Sequence, residues 1–175
     1  MKIYMALLWI ISFYCHSQSI KTIAKCELNS GNVVKLVALN TVDGDRPFLT
    51  FENRMFSAFL DTDSDYYGEL VLSKCINHTM IFNLNYGSPY LKGCLVTGLK
   101  KNHQSSVLFE GLCFSERNTP ESIWFGKDEI LIIIRNDNNV GEWNGKYIIY
   151  DSKNKEAHTS NELPKKEGYD IYAVK

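Results

Sequence analysis

The apolar residues of this 175-residue chain come in short runs broken by turn formers, and no stretch keeps a 3.6-residue period over three turns. Runs of four to nine residues lie within the usual range of strand lengths. An amphipathic helix would need its apolar stripe sustained for about ten residues or more. Strands are therefore expected at Ile20 to Leu28, Val33 to Leu39, Phe48 to Phe51, Met55 to Leu60, Glu69 to Ile76, Met80 to Leu84, Cys94 to Leu99 and Val107 to Phe114. Later ones are expected at Ile130 to Ile134, Lys146 to Tyr150 and Tyr169 to Val174. Asn29, Ser30, Gly31 and Asn32 separate the first two runs, a hairpin signal.

The run Ile130 to Ile134 has no polar residue and is bounded by charge, as expected of a central strand buried on both faces. Arg117 to Glu121, with Pro120, and the polar segment 151–168, with Pro164, are expected as surface loops. Short strands with regular turns indicate an all-β antiparallel sandwich or barrel of about 9–11 strands. The second choice is α+β, with one short helix at Arg54 to Asp61 or Glu121 to Phe125.

The N-terminus and the cysteines bear on compartment. Lys2 precedes an uncharged stretch, Ile3 to Tyr14, and Cys15, His16 and Ser17 lead to a cleavage point before Gln18, so residues 1–17 are expected to be a signal peptide. Residues 18–175 would then form a single β-rich domain, periplasmic or secreted, without a membrane span. Removing Cys15 turns five cysteines into four: Cys26, Cys75, Cys94 and Cys113. None lies two to four residues from another, as zinc ligands usually do, so two disulfides are expected and neither metal nor cofactor. Cys75 and Cys94 flank a turn containing Tyr86, Gly87, Ser88, Pro89 and Tyr90, which favours pairing them and leaves Cys26 for Cys113.

Charge narrows the partners. The chain has 19 basic and 20 acidic residues; without Lys2 the balance is 18 minus 20, or −2, with no long basic run. Nucleic-acid binding depends on neutralising phosphates and is not expected.

The sharpest polar cluster is Asp61, Asp63 and Asp65, followed by Gly68 and Glu69. Alternating carboxylates can wrap calcium, but Tyr66 and Leu72 stand where a calcium loop of the helix–loop–helix type needs glycine and a bidentate carboxylate. A solvated turn is the simpler expectation. Tyr66, Tyr67, Tyr86, Tyr90 and Trp143 lie in or beside turns, where rigid aromatic side chains supply contact area for a partner. Neighbouring carboxylates would suit a basic one. His78, His103 and His158 are scattered, and no nucleophile elbow, zinc helix, Cys-x-x-Cys pair or phosphate loop is present.

These features together favour an exported non-catalytic binding protein, of the inhibitor or immunity type, that blocks a toxin or hydrolase by protein contact. The site would comprise Asp61, Asp63, Asp65, Tyr66, Tyr67, Glu69, Tyr86, Tyr90 and Trp143. Alternatives are a carbohydrate-binding or adhesion module using Trp143, and a small hydrolase built around a histidine.

Overall fold

A computed structural model describes residues 19–62, 64–101, 106–136 and 144–174. The expected leader, 1–17, lies outside the described residues, as do Asp63, His103 and Trp143. The fold is all-β, and among the described residues there is no helix. Its strands are β1 (Ile20–Glu27), β2 (Val33–Thr41), β3 (Gly44–Phe51), β4 (Arg54–Ser57), β5 (Glu69–Ile76), β6 (Thr79–Asn85) and β7 (Leu91–Lys101). They continue as β8 (Val107–Glu116), β9 (Pro120–Phe125), β10 (Ile130–Arg135), β11 (Tyr147–Asp151), β12 (Glu156–Ser160) and β13 (Asp170–Ala173).

Three antiparallel sheets form a sandwich-like stack, with orders β1-β2-β3-β4, β5-β6-β7-β8 and β12-β11-β10-β9-β13. The alternation of side chains along β6 explains why the second sheet is the middle layer. Met80, Phe82 and Leu84 enter a core with Val34, Leu36 and Leu49 of the first sheet. Ile81, between them, enters a second core with Ile123, Ile132 and Ile148 of the third. In β10, Ile132 and Ile134 face that second core, whereas Leu131 and Ile133 pack with Trp124 and Ile149 on the other side. The isoleucine-rich run is thus a central strand covered on both faces.

Two strands exceed the eleven expected, and each has a local reason. Pro120 to Phe125 is neither loop nor helix but β9: Pro120 needs no ladder donor at a strand start, and Ile123 and Trp124 alternate between two cores. Segment 151–168 is not one long loop, because Glu156–Ser160 forms β12 against β11. Its polarity fits an edge strand with one side in water. The proposed short helix at Arg54 to Asp61 is instead β4 and the start of a loop.

The disulfides are Cys26–Cys75 and Cys94–Cys113, which corrects the expected pairing of Cys75 with Cys94 and Cys26 with Cys113. The segment between Cys75 and Cys94 contains two turns, not one. Asn77 and His78, both at positive φ, close the β5–β6 hairpin, and 86–90 closes the next. Strand β6 therefore separates Cys75 from Cys94, while Cys94 stands directly opposite Cys113 on β7 and β8. The bridge from Cys26 to Cys75 ties the first sheet to the middle one.

Inside the second interface, Asn83 is fully buried and neither of its side-chain polar atoms has a hydrogen-bond partner among the described residues. An unsatisfied buried polar group costs about 1–3 kcal/mol. Asn83→Leu, which keeps the branched four-atom side-chain shape without polar atoms, is expected to raise stability by about 1 kcal/mol, seen as a higher urea midpoint at unchanged slope. A lowered midpoint would mean that the amide has a partner.

Candidate functional site

The β4–β5 loop and the β6–β7 turn meet at one end of the stack, and most of the expected site residues lie there. Two ion pairs and a pair of backbone bonds fix the loop. Asp61 pairs with Lys92 at the start of β7, and Asp65 pairs with Arg46 of β3. Asp45 and Gly68 exchange backbone hydrogen bonds of 2.7 and 3.1 Å. Gly68 is required here because a Cβ would stand 1.9 Å from the Asn85 carbonyl oxygen.

Aromatic contacts then set the loop's inner wall. The Tyr66 ring lies edge-on to Phe59 at 5.0 Å and to Tyr86 at 5.1 Å, and all three join the core between the first two sheets. The Lys92 ammonium sits 5.9 Å from the Tyr66 ring centre, with the lysine itself only 9% exposed. That burial is tolerable because Asp61 neutralises it and the ring face is electron-rich.

The outer wall is built around Arg46. Its guanidinium lies 4.7 Å from the Phe48 ring centre and 5.7 Å from that of Tyr67. Arg46, Phe48, Ser57, Phe59, Asp65 and Tyr66 line most of a cleft of about 150 Å³. Tyr90, on the next turn, carries the Arg117 guanidinium 5.3 Å from its ring. Glu69 is exposed at the head of β5.

The structure thus brings Asp61, Asp65, Tyr66, Tyr67, Glu69 and Tyr86 together, with Tyr90 on the adjoining turn. Asp61 and Asp65 are engaged within the chain, and Tyr66 and Tyr86 are partly buried struts. Asp61, Asp65 and Glu69 are exposed, while Tyr67 and Tyr90 are half-buried beside Arg46 and Arg117. The outward surface is therefore mixed, with the aspartates already ion-paired and Glu69 outside the ion pairs seen among the described residues. Sequence reasoning missed Arg46, Lys92 and Arg117, which organise the site. Lys92, inside an apolar strand beside Gly93, was the one legible hint.

Other polar constellations lie elsewhere. Asp61, Cys94 and Cys113 bring potential metal ligand atoms within 4.8 Å of one another, but the two sulfurs are joined in a disulfide and are not thiolates. His78 Nδ1 lies 3.1 Å from the Glu27 carbonyl oxygen, and His158 is on β12 in another sheet. At the far sheet, a hydrogen bond to Glu129 and then burial push the Tyr169 phenol up to about 12. Burial, and then the bond to Glu116, also raise Tyr150.

Among the described residues no helix is long and apolar enough to cross a membrane. No family model matches the chain, and no curated protein or solved structure matches it.

Proposed function

We propose that the chain is an exported, non-catalytic binding protein that blocks another protein, such as a toxin or hydrolase, through the end of the stack built by the β4–β5 loop and the β6–β7 turn. The observation that carries this reading is the bracing of that loop by Asp61–Lys92, Asp65–Arg46 and the Tyr66–Tyr86 contact. A loop already held in one conformation loses little freedom on association, and tyrosine adds contact area with few rotatable bonds. The two disulfides fit an oxidising compartment.

The test is capture of a partner from the native envelope by the full chain. The variant must spare the bracing residues, so Tyr67→Ala with Glu69→Lys is preferred to changing the aspartates. Stoichiometric capture by the wild type, weakened about tenfold or more in the variant, is expected, since truncating a central tyrosine and reversing a charge together remove at least about 1.4 kcal/mol. Equal capture by both proteins would remove the site assignment. Substrate turnover by the purified protein would overturn the non-catalytic reading.

A further inference from the structure

Among the described residues the stack has six edge strands, and five carry a feature that discourages another strand from adding. β4 and β13 have four residues each and β12 has five. β1 and β5 each contain a register shift, between Thr22 and Ala24 and between Leu70 and Leu72, and Cys26–Cys75 joins them. Short length and bulges are ways of blunting an edge.

β8 differs. It has ten residues, and its register shift lies in the partner strand β7, between Val96 and Gly98. Among the described residues no strand pairs with its open side. Its C-terminal end is partly covered: Ser115 makes a backbone hydrogen bond to the Tyr150 phenol, and the Leu60 N–H donates to Cys113 Sγ at 3.2 Å. The stretch Leu108 to Gly111 instead borders a groove of about 500 Å³.

The groove has chemistry suited to a side chain of an added strand. Leu60, Phe109 and Ile130 supply apolar surface, and Leu108 is 69% exposed beside them. Lys155 and Glu110 are the charged groups in its lining. Glu110 is compensated by Lys100, whereas Lys155 has no ion pair among the described residues. The groove therefore carries an uncompensated positive charge at one wall.

We propose that the open edge of β8 takes an extended segment of a partner protein as an added antiparallel or parallel strand, with an apolar side chain against Leu60 and Phe109 and a carboxylate facing Lys155. Backbone hydrogen bonds to the edge would hold the segment, and the groove would select its side chains. Apart from Leu60, which lies in the β4–β5 loop, the groove's residues are separate from the loop-end surface, and none of them is among those changed to test that surface.

The probe is a labelled, N-acetylated peptide of alternating valine and threonine with one central aspartate, added to the full chain. Expected are saturable binding and slowed amide exchange confined to Leu108 to Leu112. A peptide with lysine in place of aspartate should bind about tenfold more weakly. Leu108→Lys, at an exposed position, should weaken the acidic peptide, and Lys155→Glu should reverse the preference between the two. Circular dichroism and the unfolding midpoint check that both variants stay folded. Absence of binding, protection at a different strand, or unchanged preference in Lys155→Glu would each overturn the proposal. So would sedimentation showing that β8 is instead occupied by a second copy of the chain.

Discussion

Replacing Cys26 and Cys75 together by alanine is expected to lower stability by about 4 kcal/mol, because their bridge closes a loop with a sequence separation of 49. Freed of that link, the unfolded chain regains conformational entropy that the native state must then oppose. The Cys94–Cys113 bridge spans 19 and should contribute about 3 kcal/mol by the same reasoning. The location of the bridges points the same way. Cys94 and Cys113 sit on strands already joined by a ladder, whereas Cys26 and Cys75 connect two different sheets. Urea unfolding of the two double variants measures the difference. A Cys94/Cys113 variant less stable than the Cys26/Cys75 variant would contradict this order.

The second large effect is expected at Gly68. In Gly68→Ala the new methyl would overlap the Asn85 carbonyl oxygen at 1.9 Å and approach the Tyr86 Cα at 2.9 Å. Both are backbone atoms of β6 and its turn, so no rotamer change relieves the contact. Gly44 closes the other side, where a Cβ of its own would meet the Gly68 nitrogen at 2.8 Å. The loop must therefore move off β6 and lose the bonds between Asp45 and Gly68. A loss of about 3 kcal/mol is expected, in the upper range for forced overpacking. Partner capture should fall as well, because Tyr66 and Tyr67 precede the displaced residue. Unfolding midpoints and the capture assay read the two effects separately. An alanine variant with wild-type stability would show that the close approach is not maintained in solution.

Fold class was legible because periodicity is local. A run such as Ile130 to Ile134 is strand-length and wholly apolar, and a two-sided core is the natural place for it. The β1–β2 hairpin was legible from Gly31, which adopts φ +71 in the turn. β12 was not, since an edge strand with water on one side has the same composition as a loop. β9 was hidden by Pro120, which as a strand's first residue breaks no ladder.

The site divides in the same way. Tyr66, Tyr67, Tyr86 and Tyr90 could be chosen from the sequence as turn-borne aromatics, but which of them pack on the core and which lie beside an arginine could not. Tyr66 turns inward only because Phe59, Tyr86 and Lys92 come from three separate segments to meet it. Asp61 and Asp65 likewise looked like an acidic surface until Lys92 and Arg46 were found opposite them.

By itself, then, the sequence favoured an all-β fold, with α+β as second choice, and two disulfides among its four cysteines beyond the N-terminal segment, because strand length and cysteine spacing are properties of neighbouring residues. Which cysteines pair, how the three sheets stack, and which charges cancel were decided only in the tertiary structure. Each depends on contacts between residues distant in the chain, and β6, inserted between Cys75 and Cys94, is the clearest physical case.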